Sequence, residues 1–244
     1  MTKILVISDV HANLTALETV LADAGPVDET WCLGDVVGYG PDPNECIDLI
    51  RALPNLTCLM GNHDLAAVGD MGLETFNGDA RRSLLWQKQT LTNESLLFLQ
   101  DRPRVLQVHG QASLVHGSPR DPVWEYILNT LVAFNNLSHF QTPWCFVGHS
   151  HFQGIFQYIP VNEEFAIEIP KSGLIYSMKD RAIFNPGSVG QPRDRDIRAA
   201  YAFYDPEANT WQPMRVDYDF KKVQDRILAA GLPPRHAERL GGGW

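Results

Sequence analysis

The chain is expected to be an α/β protein built on two β-sheets packed face to face, with helices on the outside. Three observations predict this. The first sixty residues alternate short apolar runs with helical patterns, as parallel strands joined by crossover helices require. From Arg104 onward, short runs rich in β-branched and aromatic residues follow one another closely, which is the pattern of a mostly antiparallel half. The 244 residues are 44% hydrophobic and 20% charged, ordinary values for a packed protein with a sizeable core and incompatible with disorder.

Each element follows from its own residues. "KILVIS" (Lys3–Ser8) is a continuous apolar run suited to a strand buried on both faces. Asn13 caps a helix through about Ala24, with Leu14, Leu17, Val20 and Leu21 on one face. "ETWCLG" (Glu29–Gly34) is a second strand, a helix runs from about Pro43 to Ala52, and "NLTCLM" (Asn55–Met60) is a third strand. Residues 71–102 read as a helical insertion, with "GDARRSLLWQKQ" and "TNESLLFLQ" covering a sheet edge. The strands "RVLQVHG", "ASLVHG", "WCFVGHSH", "GIFQYI", "FAIEI", "GLIYS", "RAIFN" and "AAYAFYD" follow, interrupted by one helix at about Asn129–Phe140. One domain is expected over 1–218, without a linker. Residues 219–244 add a helix stopped by Gly231 and Pro233 and a mobile end, "RLGGGW".

The formal charge of −9 and the lack of a long Lys/Arg run argue against general nucleic-acid binding, while leaving room for a small phosphate substrate beside bound cations. No apolar stretch is long enough to span a bilayer, and no secretory leader pattern opens the chain. The four cysteines form no CxxC pair; Cys32, Cys58 and Cys145 sit in apolar runs and read as reduced core thiols of a cytoplasmic protein.

Chemistry concentrates at strand ends. Five short motifs stand there: "DVH" (Asp9, His11), "GD" (Gly34, Asp35), "GNHD" (Gly61–Asp64), "HG" (His116, Gly117) and "GHSH" (Gly148–His151). Singly each is weak, since an Asp-x-His pair is usually a satisfied loop contact. Jointly they hold five of the eight histidines, each after a strand that should deliver its end to one edge of the core. His109, His139 and His236 lie near a turn, at a helix end and in the tail, and carry a structural reading. Asp64 reads as a cap of the next segment.

In order, spacing and glycine neighbours, this set resembles the calcineurin-like metallophosphoesterase superfamily, over most of the chain from Asp9 to "NPGSVGQPR" (Asn185–Arg193). "GDVVGYGPDPNE" is most similar to bacterial and archaeal phosphodiesterase-type members. The resemblance implies a four-layer α/β/β/α sandwich of two mixed sheets. It implies two divalent transition-metal ions, manganese first, with Fe, Zn, Ni or Co also suited to imidazole and carboxylate donors. By position, Asp9, His11 and His151 would hold one ion, Asn62, His116 and His149 the other, and Asp35 both. It implies hydrolysis of a phosphate ester by a metal-bridged hydroxide. His63 would protonate the leaving group, and Tyr39, Ser188 and Arg193 are candidates to touch the substrate.

The departures bear on which ester. Protein Ser/Thr phosphatases of the superfamily read GDxVDRG where this chain reads "GDVVGYG", so Gly38 and Tyr39 replace an Asp and a phosphate-gripping Arg. A diester carries less charge and needs fewer cationic contacts, so a phosphodiester is the leading substrate. The alternatives are a protein Ser/Thr or dinucleoside polyphosphate phosphatase, and a non-catalytic metal-binding module.

Overall fold

The computed structural model describes residues 2–244. β1 (Ile4–Ile7) leads to α1 (Leu14–Ala24), β2 (Glu29–Cys32), α2 (Pro43–Arg51), β3 (Leu56–Cys58) and α3 (Asn62–Val68). A 3₁₀ turn at Leu73–Thr75 precedes α4 (Gly78–Thr90) and α5 (Asn93–Gln100). β4 (Val105–Val108), β5 (Ala112–Val115), α6 (Thr130–Asn136), β6 (Trp144–Phe146), β7 (Gln153–Ile159), β8 (Glu164–Glu168), β9 (Tyr176–Ser177) and β10 (Ala182–Pro186) follow. The chain ends with β11 (Ala199–Asp205), β12 (Thr210–Val216), α7 (Phe220–Ala229) and α8 (Pro234–Gly242).

Two six-stranded mixed sheets result, ordered β3-β2-β1-β11-β12-β9 and β4-β5-β6-β10-β7-β8. β1, β2 and β3 are parallel, as their connecting helices demand. The division into a parallel half and an antiparallel half does not follow the sheets, however. β11 returns to pair antiparallel with β1, Leu5 opposite Phe203, and β5, β6 and β10 are parallel within the second sheet. A three-stranded sheet would have left β1 with an open edge, and β11 closes it.

β1 shows why its run is continuously apolar. Ile4 and Val6 face the second sheet, where Trp31, Phe146, Tyr204 and Trp211 form the inter-sheet core. Leu5 and Ile7 face the opposite way, onto α1 and α2. On the far side of the second sheet, Val115, Cys145, Val147 and Ile183 pack under Ala133 of α6. Helix, sheet, sheet and helix make four layers.

α4 and α5 lie against α2 and α3 at the β3 side of the first sheet, with Leu84, Leu91 and Leu99 buried. The tail departs from its expectation. Residues after Pro233 form α8, whose Ala237 and Leu240 pack on Val223 and Ile227 of α7. Gly243 is pinned too, its carbonyl accepting from Arg195 N at 2.8 Å. An amphipathic helix with a ready apolar partner is ordered even when its last two residues and its C-cap are glycines. All four cysteines are buried thiols. Among the described residues, no helix is long and apolar enough to cross a membrane.

Candidate metal centre

The parallel strands set the site. Asp9 and His11 follow β1, Asp35 follows β2, Asn62 and His63 open α3 after β3, and His116 follows β5. His149 and His151 occupy the turn between β6 and β7. Parallel strands point their carboxyl ends the same way, so residues spread from Asp9 to His151 meet at one edge. All eight side chains are buried, Asp9 and His116 completely.

Three ligand sets overlap there: Asp9, His11 and His151; His11, Asp35 and His63; and Asp35, His116 and His149. In each, one donor atom per residue lies within 4.8 Å of the others. Asp35 joins the sets. Its Oδ2 is 3.4 Å from His116 Nε2 and 3.7 Å from His11 Nε2. Asn62 Oδ1 is 3.2 Å from His116 Nε2.

Backbone carbonyls decide which imidazole nitrogens are free. His11 Nδ1 donates to Val37 O at 3.0 Å, His116 Nδ1 to Leu33 O at 2.9 Å, and His151 Nδ1 to Gln191 O at 2.5 Å. A carbonyl can only accept, so each Nδ1 carries a proton, and Nε2 is the nitrogen turned inward, bare whenever the ring is neutral. His149 does the reverse, donating from Nε2 to Trp124 O at 3.1 Å. The bare Nε2 atoms of His11 and His151 then face one another at 3.0 Å. Asp9 Oδ1, buried and without a hydrogen-bond partner, stands 3.2 Å from the second of them. Lone pairs so disposed repel unless a cation lies between them, and this donor set fits a divalent transition metal.

The electrostatics agree. Burial pushes the Asp9 and Asp35 carboxyls up, but surrounding imidazoles, His151 for Asp9 and His116 for Asp35, outweigh it and hold both below the usual carboxylate range. Burial opposes a proton on His116, yet Asp35 beside it raises this imidazole to about 10. Burial and the positive charge of His116 push His149 down to about 3; burial and Arg193 push His151 down to about 4. Two carboxylates against one imidazolium leave a buried centre that attracts cations.

The local backbone is bent to serve this geometry. Asp9 (φ 54°), His11 (49°), Asp35 (54°), Tyr39 (53°), His149 (62°) and His151 (55°) are all left-handed without being glycine. Such conformations cost of order 1–3 kcal/mol each and cluster at functional sites. Glycine is required at two neighbouring points. A Cβ on Gly61 would stand 2.1 Å from Asp35 Oδ1, and one on Gly38 (φ 103°) 2.4 Å from His63 Nδ1. Gly38 thus occupies the place of a partner for His63, whose buried Nδ1 has none. Burial holds the His63 imidazole well below its ordinary value, against the pull of Asp35. Its backbone N–H donates to Asp35 Oδ1 at 2.9 Å.

A cleft of about 110 Å³ opens over the cluster, lined by Asp35, His63, Phe76, Trp124, Tyr126 and Arg193 among others. Several waters, or a group of phosphoryl size, would fit in it. Tyr39 and Arg193 both reach it, Arg193 Nη2 donating to the Tyr39 hydroxyl at 3.1 Å and to Gln191 Oε1 at 2.9 Å. Ser188 does not line the cleft. Its hydroxyl is fully buried, donating to Asp9 O and accepting from Gln191 N, both at 2.8 Å, so it ties the "NPGSVGQPR" turn to the β1 end.

Two residues near the site, Gln87 and Tyr126, carried no sequence signal. Gln87 of α4, wholly buried, accepts from Gly38 N at 2.6 Å and donates to Gly40 O at 2.8 Å, fixing the loop after Asp35. Tyr126 stacks on His149 with ring centroids 3.9 Å apart. Asp64 accepts from Gly61 N and Val37 N, so it caps α3, as expected, while tying two site loops together. His236 is not a free tail residue: it is buried, 4.9 Å from the Tyr39 ring. His109 has left-handed backbone and pairs with Glu29, and His139 closes a 3₁₀ turn.

A four-layer sandwich with carboxylate, amide and imidazole donors gathered at the strand ends is the frame of a metallophosphoesterase, and the chain belongs to the calcineurin-like phosphoesterase family, whose model matches residues 2–153. It is 42% identical to a metallophosphoesterase from Sphaerobacter thermophilus, whose crystal structure superposes with a TM-score of 0.91 over 100% of this chain and 99% of that one. An uncharacterized protein of Methanocaldococcus jannaschii is 39% identical over 97% of this chain and 96% of its own length. A hypothetical protein from Pyrococcus horikoshii shares the fold, with 22% identity and a TM-score of 0.79 over 100% of this chain and 99% of that one.

Proposed function

We propose that the protein is a two-metal phosphodiesterase acting on a small phosphodiester. The observation that carries the reading is the pair of bare imidazole nitrogens, His11 Nε2 and His151 Nε2, facing at 3.0 Å beside the unpartnered Asp9 Oδ1. Asp9, His11 and His151 would hold one divalent ion, Asn62, His116 and His149 a second, and Asp35 both; manganese is the first choice. Bound there, such ions supply Lewis acidity toward phosphate oxygens and lower the pKa of water in the site.

The protein's own groups supply the rest. Arg193 lends a guanidinium to a non-bridging phosphate oxygen. Its Nε is buried without a partner, and the Tyr39 ring lies 5.5 Å under it. His63 donates a proton to the departing alkoxide. A phosphate anion beside it offsets the burial that otherwise keeps the ring neutral, so protonation is coupled to substrate entry. Phe76 and Trp124, 5.1 Å apart, narrow the mouth and exclude bulk water. A single guanidinium in the cleft, with no carboxylate behind His63, suits a singly charged diester better than a dianionic monoester.

The test is metal analysis of the purified protein together with turnover of bis-p-nitrophenyl phosphate and p-nitrophenyl phosphate in the presence of Mn²⁺. Two ions per chain and preference for the diester are expected. Clear preference for the monoester would overturn the diester assignment, and metal-independent turnover the whole reading.

A further inference from the structure

A second cavity, of about 360 Å³, adjoins the first and shares Asn77 with it. Its walls are the start of α4 (Asn77, Gly78, Asp79) and one face of α8 (Arg235, His236, Arg239). It is cationic in a chain of net charge −9. Arg235 and Arg239 form no ion pair and no hydrogen bond through their side chains among the described residues. Both instead lie against the Trp244 ring, at 5.7 and 5.5 Å.

One further donor lacks a partner there: Arg239 Nε is buried and unpartnered. His236, only 1% exposed, spends its Nε2 proton on Asp79 O at 3.2 Å, so its Nδ1 is a lone-pair acceptor and the anion contacts fall to the two arginines. Arg193 belongs to the same cluster: burial first, and then the charge of Arg193, lower the proton affinity of the Arg239 guanidinium. Two guanidiniums in one wall, with that of Arg193 near enough to act on Arg239, make a place that favours an anionic occupant. Asp79 is the sole carboxylate in the lining, and it lies in the first turn of α4, where the helix dipole favours it. A ring path joins the cavities: His236 packs on Tyr39, and Tyr39 packs on His63 at 4.5 Å.

We infer that the Arg235–Arg239 cavity is a second anion subsite, which takes a further phosphate of the same substrate while the scissile diester sits over the metal ligands. The inference rests on the phosphodiesterase reading and narrows its substrate class to phosphodiesters that carry a second phosphoryl group. α8 is thereby a specificity element rather than a trailing helix.

The experiment compares the dinucleotide TpT with pTpT, TpTp and pTpTp, which add a second phosphate on either or both sides of the same diester. The wild-type protein is expected to favour at least one phosphorylated form by about 10- to 100-fold in kcat/KM, mainly through KM, as charge-assisted hydrogen bonds give. In the R235A/R239A double variant that ratio falls to near one; R235K/R239K keeps part of it, and Asp79→Asn increases it. A wild-type ratio near one, or a ratio that survives R235A/R239A, overturns the inference. Calorimetric affinities for the same four ligands supply the ratio if none of them is turned over, an outcome that would count against the phosphodiesterase reading and not against the subsite. If added inorganic phosphate instead changes wild-type turnover of bis-p-nitrophenyl phosphate, the double variant loses that response and the dinucleotide ratio is near one, the cavity holds a free anion and the substrate role is refuted.

Discussion

Gly38→Ala turns the geometry around His63 into a measurement. The added methyl would stand 2.4 Å from His63 Nδ1 and 2.9 Å from His11 Nδ1. Ordinary van der Waals contact begins near 3.4 Å, so the His63 ring must retreat by about 1 Å (3.4 − 2.4). The positive φ of 103° adds strain that alanine bears poorly. A misplacement of about 1 Å at a reacting group costs on the order of 10²-fold in rate, or about 2.7 kcal/mol of barrier. The assay is kcat on two diesters, one with an alkyl and one with a p-nitrophenyl leaving group. Since a p-nitrophenolate departs without a proton, the loss should fall mainly on the alkyl ester. Metal content and melting temperature are read alongside, because His11 also borders the new methyl. In a His63→Ala background the same substitution should add little, since the group it displaces is already gone. Equal kcat for G38A and the wild type on the alkyl ester, with the methyl seated, would refute the role given to His63.

His63→Ala alone should retain both metal ions and lose about 10²- to 10⁴-fold on the alkyl diester while sparing the p-nitrophenyl one, as stopped assays and metal analysis will show. Chelation should abolish turnover and lower the melting temperature; re-addition of Mn²⁺ at 100 times its dissociation constant should return about 2.7 kcal/mol of stability, and Asp35→Asn should lose that response. Gln87→Leu strands Gly38 N and Gly40 O in the interior, at about 1–3 kcal/mol each, and calorimetry should show a melting temperature lower by about 2–4 °C per kcal/mol. Glu125 is pushed up by partial burial but held down to about 2 by Arg120, Asn136 and Ser118. Its stabilisation of the Trp124–Tyr126 loop is therefore present above its ordinary pKa near 4.5 and is lost as pH falls from there toward 2. Acid titration of Glu125→Gln should lack that part of the wild-type decline.

What the sequence alone determined is whatever is written in local pattern. The continuous apolar run of β1, the Asn13 cap of α1 and Pro43 opening α2 are each contained in a few adjacent residues. So are the motif residues themselves, because strand ends in alternating β and α segments must share an edge. Three things were left to the tertiary structure. Sheet membership was one, since the pairing of Leu5 with Phe203 joins residues 198 apart and no local period records it. The state of each imidazole was another: it depends on carbonyls of Val37, Leu33, Gln191 and Trp124, and a carbonyl has no letter in the sequence. The third was the end of the chain. "RLGGGW" has the composition of a loose terminus, yet α8 brings Arg235, His236 and Arg239 to the cavity beside the metal-ligand cleft because Ala237 and Leu240 find an apolar face on α7. Composition describes a segment by itself, whereas order depends on the surface available to bury it.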